Sequence, residues 1–238
     1  MELLADAVRD AVRLLAGLDP DVRGIVLLSL RVSATAIIFG VAIGLPVGIL
    51  LALARFPGRR LLIAIVHTGF ALPPVVVGLL VYLLLSRSGP AGDLQLLFTP
   101  TAMILAQAIL AAPYVAGVSL AAIQSVPSDV RLQARALGAT RWRAVLTHVR
   151  EARLGVGAAV IAGFGAVLSE VGAVLLVGGN IRGETRVMTT AIVLETRRGN
   201  FALAIALAMI LLGIAFVINV LLTRMQQGRA GPRALPAL

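Results

Sequence analysis

Residues 133–153 read QARALGATRWRAVLTHVREAR. Arg135, Arg141, Arg143, Arg150 and Arg153 stand here with a single acid, Glu151, and Gly138 is set inside the block. On both sides the chain is apolar for twenty residues or more. A charged block between two such runs reads as a loop joining two membrane spans. The rest of the sequence supports that reading.

The chain is 59% hydrophobic and 13% charged, where a soluble domain carries about 25% charged residues. The shortfall is concentrated in long apolar runs, which predicts an all-α membrane protein. Leu/Val/Ile-rich runs of this length exclude a β-barrel, whose strands alternate over about ten residues. There is no Cys, so disulfides and thiolate metal sites are excluded. All 21 basic residues are Arg. A phosphate-binding P-loop needs the Lys of GxxxxGK[ST], so this chain is not expected to hydrolyse ATP through one. No His/Asp/Glu cluster has metal-site spacing, and no nucleophile–base constellation marks an enzyme. We therefore expect neither a metal nor a cofactor.

About five spans are expected: 24–54, 61–86, 100–126, 154–178 and 201–223. Each exceeds the roughly 20 residues needed to cross about 30 Å of hydrocarbon. Residues 1–23 mix acids and Arg and read as a surface amphipathic segment, with no cleavable signal peptide expected. Asp19 and Pro20 interrupt it before the first span. Orientation follows from the Arg distribution. One side holds Arg55, Arg59, Arg60, the six Arg of 127–153, and Arg224, Arg229 and Arg233, against only Asp129 and Glu151. The other side balances Arg with acids. The first side is expected in the cytoplasm, with the N-terminus outside, the tail 224–238 inside, and the inner membrane as location. The net charge of +10 is then topology, and no nucleic-acid role is needed.

Within the block, Pro127, Ser128 and Asp129 form a helix start signal. A short helix over 131–136 is expected to stop at Gly138, which adopts a left-handed conformation cheaply. A second helix begins at Thr140 and carries Trp142, Val145, Leu146 and Val149 at i, i+3, i+4 and i+7. Helix, Gly turn, helix makes a compact lobe. Its apolar stripe and Arg suit a cleft on a partner, whereas an ordinary loop obeying the positive-inside rule needs neither a centred Gly nor an amphipathic helix.

The stretch Gln133, Ala134, Leu137, Gly138, Ala139, Thr140, Arg141 and Trp142 resembles the loop shared by permease subunits of ABC importers. In that family the loop reads Glu-Ala-Ala, three residues, then Gly, and ends near Ile-x-Leu-Pro. Here the Glu-Ala-Ala positions hold Leu132, Gln133 and Ala134, and Arg150-Glu151 replaces Leu-Pro. The stretch LSEVGAVLLVGGNIRGETRVMTTAI, Leu168–Ile192, is similar to molybdate and tungstate importer permeases, and nearer to the tungstate group. The resemblance covers about residues 24–223. It implies a type I ABC importer permease fold and a homodimer enclosing one pathway. It also implies ABC ATPase subunits docked on the loop 127–153 and an extracytoplasmic oxyanion-binding protein at the outer face. Other readings within the class are molybdate or sulfate as cargo. A secondary transporter would show internal repeats and more intramembrane charge.

Two ionisable residues fall inside spans, Arg31 and Glu170. Both lie roughly 10–12 Å below the outer surface at 1.5 Å per residue. Intramembrane charges pair where they can, so an Arg31–Glu170 pair fixing two spans is expected. Gly40, Gly44 and Gly48 repeat on one helix face and suggest a tight helix–helix seam, within or between protomers. Pro73, Pro74 and Pro113 break helices at membrane depth, where freed backbone groups must be buried in protein or line a cavity. Gly178, Gly179, Asn180, Thr189 and Thr190, with Arg182 or Arg186, offer donors for an oxyanion at a transit or gate site. His67 reads as a hydrogen-bonded packing residue in the second span.

Overall fold

A computed structural model describes residues 8–11, 13, 17 and 19–227. The expected N-terminal segment is helical at residues 8–11 and 13 and a turn at residue 17; residues 1–7, 12, 14–16 and 18, and positions 228–238 of the tail, lie outside the described residues. Ten helices follow in the described chain, with no strand among the described residues. They are α1 (Pro20–Leu53), α2 (Arg59–Phe70), α3 (Pro74–Leu85), α4 (Pro100–Gln124), α5 (Asp129–Ala136), α6 (Arg141–Glu151), α7 (Arg153–Leu168), α8 (Gly172–Gly178), α9 (Met188–Arg197) and α10 (Phe201–Gln227).

Local chemistry sets the ends. Asp19 Oδ1 accepts the N–H groups of Asp21 (2.8 Å) and Val22 (3.3 Å), and Pro20 stands where its missing N–H costs nothing. Asp19-Pro20 therefore starts α1 four residues earlier than expected. Thr99 and Pro100 do the same for α4, with Thr99 Oγ1 accepting from Ala102 N.

The centre of the molecule is the crossing of α1 on α4. A Cβ on Gly40 would stand 2.6 Å from Ala111 Cβ, one on Gly44 2.3 Å from the Ala112 carbonyl oxygen, and one on Gly48 2.6 Å from that of Ala116. The glycine repeat is thus a seam within the chain. With Ala on the facing helix, the two backbones come as close as helices can, and dispersion replaces the hydrophobic drive that lipid cannot supply. Gly69 of α2 presses likewise on Pro113, and α7 crosses the same α4. Helix α10 covers α7 and α9 on the other flank.

Three helices are long and apolar enough to cross a membrane alone: α1, α4 and α10 over Phe201–Arg224. Bent pairs bring the total to five if each counts as one span. Two expected spans differ from single rods. The second bends by 99° between α2 and α3, because Pro73 disfavours helix in the residue before it and Pro74 is suited only to a first turn. The fourth breaks at 169–171, giving α7 and then α8. Helix α6 meets α7 at 59°, and its Arg141, Arg143 and Arg150 place it outside hydrocarbon. The expected loop 179–200 contains a further helix, α9.

Candidate functional site

The charged block folds as a lobe of two helices, α5 and α6. At the end of α5, Gly138 N–H donates to Arg135 O (3.0 Å) and Ala139 N–H to Ala134 O (3.0 Å). Gly138 takes φ +86°, the left-handed conformation that this paired bonding needs. Thr140 Oγ1 then accepts from Arg143 N (3.3 Å) and starts α6. Ser128, by contrast, makes no capping bond with its side chain. The groove between the two helices has a volume of about 480 Å³ and is lined by Gln133, Ala134, Leu137, Gly138, Ala139 and Arg143 among others.

The lobe has two faces. Leu137 is 88% exposed and Trp142 72%, with Leu132 and Leu146 also exposed. These apolar side chains project outward beside exposed Arg135, Arg141 and Arg143. The inward face of α6 is Ala144 and His148, both buried. His148 Nε2 lies 3.1 Å from the carbonyl oxygen of Ile123, in the last turn of α4. Burial pushes its imidazole below the usual His value, and Arg131 adds to that push.

Arg31 and Glu170 do not pair. Among the described residues no ion pair joins them: Arg31 is exposed on α1, and Glu170 Oε1 instead accepts the Ala173 N–H (3.2 Å) at the start of α8. The carboxylate is spent on satisfying a helix end created by the break at 169–171. That break and the one at 71–73 face each other. A Cβ on Gly172 would meet Val75 Cγ2 at 2.6 Å, and one on Gly78 would meet Ala173 Cα at 2.7 Å. A cavity of about 200 Å³ lies beside them, lined by Phe70, Pro74, Tyr114 and Glu170 among others. Pro73 caps α3 and Pro74 enters this wall. His67 is exposed and packs edge-on against Phe70, with ring centroids 5.7 Å apart, rather than sitting as a buried hydrogen-bonded residue.

The residues expected to donate to an oxyanion are brought together, but on one another. Thr190 Oγ1 donates to Asn180 Oδ1 (2.9 Å) and accepts from Val187 N (3.2 Å). Asn180 Nδ2 donates to Thr190 O (3.2 Å), and Thr189 Oγ1 to Glu170 O (2.8 Å). Thr185 Oγ1 donates to Gly178 O (2.5 Å), while Gly179, at φ +70°, packs against Phe98. A hydroxyl has one proton, so Thr189 and Thr190 have none left for a ligand. These bonds lock the 179–187 loop onto α9 and α8.

Sequence reasoning missed the neighbouring centre at Glu195. This carboxylate is 6% exposed by side chain and receives Arg186 Nη1 (3.6 Å; 12% exposed), Arg198 Nη1 (3.5 Å) and Asn200 Nδ2 (3.0 Å). Arg182 pairs with Asp21 across the same cleft, which has a volume of about 810 Å³. The one signal was an acid set among four Arg between 182 and 198, a pattern also expected of a solvated loop. His148 gave no signal beyond its four-residue spacing from Ala144.

Residues 44–230 match the family described as binding-protein-dependent transport system inner membrane component. The chain belongs to this family. It is 39% identical over 227 residues to the tungstate uptake system permease protein TupB of Peptoclostridium acidaminophilum, covering 95% of this chain and 100% of that one. It is 47% identical over 208 residues to a probable anion ABC transporter permease protein of Haloferax volcanii, covering 85% and 90%. Among solved structures, it superposes with TM-score 0.74 on a bacterial ABC transporter that imports the acidic polysaccharide alginate. That match covers 94% of this chain and 84% of the other at 21% identity, and shows the fold. The architecture is that of a type I ABC importer permease, and the expected fold stands with its two spans now seen to be jointed.

Proposed function

We propose that this chain is the pathway-forming permease subunit of an ATP-driven importer for tungstate, working as a homodimer in the inner membrane. The observation that carries the coupling half is the exposed apolar face of the lobe, Leu137 and Trp142 beside Arg135, Arg141 and Arg143. A monomer leaves such a cluster in water only at a cost, and Trp, Leu and Arg are the side chains that anchor interfaces. ATPase subunits take up that face in the cytoplasm. The N-terminus lies outside, and an extracytoplasmic binding protein delivers the anion to the opposite end. The span domain is 24–223, with 127–153 as coupling loop and 224–238 as cytoplasmic tail. No residue of this chain does covalent chemistry: ATP is cleaved on the partner.

Closure of the ATPases draws two lobes together. Each lobe is continuous with α4 through 125–128 and with α7 through Ala152, so both helices move with it. The breaks at 71–73 and 169–171 supply the joints at membrane depth where Pro74, next to Pro73, and Glu170 border the cavity. Glu170 repels a dianion, so the path holds its cargo weakly and selectivity rests on the binding protein. The tungstate assignment is supported by the 39% identity to TupB over nearly the whole chain.

The test is uptake into proteoliposomes carrying this chain and its ATPase subunits, supplied with binding protein and tungstate or molybdate. ATP-dependent tungstate uptake in preference to molybdate is expected. Preference for molybdate would move the cargo within the class, and uptake without ATPase subunits would overturn the reading.

A further inference from the structure

The inner face of the lobe is apolar except for one side chain. Ile123, Val126 and Ala152 form a buried cluster with Val130 and Val156 packed on it, where the lobe leaves α4 and enters α7. His148 lies beside this cluster, 2% exposed, with Nε2 3.1 Å from Ile123 O. Its Nδ1 is buried and has no hydrogen-bond partner among the described residues. A leucine would fill this place without leaving a buried lone pair unmatched, a cost that a purely packing role does not explain. Nε2 faces a carbonyl and therefore carries a proton and donates; burial, with no acceptor at Nδ1 among the described residues, disfavours a second proton and holds the imidazole neutral.

We propose that His148 is a positioning residue that transmits lobe movement to α4. The proposal rests on the docking reading of the lobe and deepens it. Four observations make the joint. Trp142 and Leu146 face outward from the helix whose other face is Ala144 and His148. Ile123 belongs to the final turn of α4; its carbonyl oxygen accepts Val126 N–H (3.3 Å) in the turn that leaves the helix, and its second lone pair takes the His148 donor. Helix α4 packs against α1, α2, α3, α7 and α8, so it is the element through which displacement reaches the rest of the bundle. The connecting residues 125–128 are a turn, which alone cedes angle rather than passing it on. A directional N–H···O bond 25 residues apart in sequence fixes the angle between α6 and α4 that apolar contact leaves free to slide.

His148→Leu keeps volume and apolarity but removes the donor. His148→Gln keeps an Nε2–H at similar reach. Both are to be assembled with the ATPase subunits and read for basal ATPase, for ATPase stimulated by loaded binding protein, and for anion taken up per ATP. We expect His148→Leu to keep basal ATPase while uptake per ATP falls about three- to tenfold, the range set by one net hydrogen bond. His148→Gln should recover most of it. Unchanged uptake per ATP in His148→Leu, or an equal loss in both variants, overturns the joint. If His148→Leu does not assemble, the glutamine variant decides: wild-type coupling supports the joint, and an assembled but uncoupled complex overturns it. Failure of the wild-type chain to bind ATPase subunits would overturn the docking reading itself, independently of His148.

Discussion

Trp142→Ala separates docking from folding. A Trp buries about 150–250 Å² when covered, and Trp142 is 72% exposed in the free chain. A partner therefore has about 110–180 Å² left to cover on this side chain. At about 25 cal/mol per Å² that is about 3–4.5 kcal/mol, as an upper bound. Part of this is offset by ordering of the side chain, so a loss of about 2–3 kcal/mol is expected, or about 30- to 150-fold in affinity. In the isolated permease the same substitution removes little packing and should change stability by less than about 0.5 kcal/mol. The assay is a pair: thermal unfolding of the detergent-solubilised permease alone, and titration of immobilised permease with its ATPase subunit. A large loss of affinity at unchanged Tm supports docking. Affinity within about threefold of wild type would refute it, and a Tm drop matching several kcal/mol would show Trp142 to be a folding residue.

Other substitutions test the frame and the outer end. Gly44→Val places a Cβ 2.3 Å from a backbone carbonyl; it should cost at least about 1–3 kcal/mol and lower Tm, since backbone cannot yield as a side chain can. Thr190→Val leaves Val187 N–H and Asn180 Oδ1 without their shared partner and should cost about 1–3 kcal/mol by thermal unfolding. Glu195→Ala strands the part-buried Arg186 and should cost about 3–5 kcal/mol, whereas Arg182→Ala, at a fully exposed pair, should leave Tm near that of the wild type in the same assay. His148 makes stability pH-dependent. Burial holds its folded-state pKa below the ordinary His value of 6.5, so the unfolded chain gains a proton first as pH falls. Its contribution is complete above about pH 6.5 and lost below it. The Tm of the wild type should fall more between about pH 7.5 and 5.5 than that of His148→Gln.

The lobe was legible because its signals are local. Gly138 needs only its neighbours to take φ +86°, and Thr140 caps a helix three residues away. The glycine seam was legible as a seam, but its partner on α4 required the fold. The breaks at 71–73 and 169–171 differ in this respect. Pro73-Pro74 announces the first, whereas Ser169-Glu170-Val171 contains no breaker. The second arises from tertiary bonding, with Thr189 donating to Glu170 O and Glu170 accepting from Ala173. The same long-range pairing explains why Arg31 and Glu170 did not meet: similar depth in two spans fixes height but says nothing of rotation about either helix axis. Helix α9 was hidden because its amino end is stabilised by Met188 N–H donating to Ser29 Oγ (2.8 Å), 159 residues away.

The α1–α4 crossing constrains how the protein can change shape. At the three glycines the facing atoms are Ala side chains, backbone, and the Cβ atoms of Val115 and Ser119, which leaves little that could repack as the helices slide. Rotating one helix against the other by even a few degrees would drive backbone into backbone. The two helices therefore behave as a single stiff plate. Whatever opens and closes during transport must pivot around that plate, and the freedom to do so lies in the jointed flank of α2–α3 and α7–α8. Evolution of cargo or speed would be expected to act on the flank while leaving the plate alone.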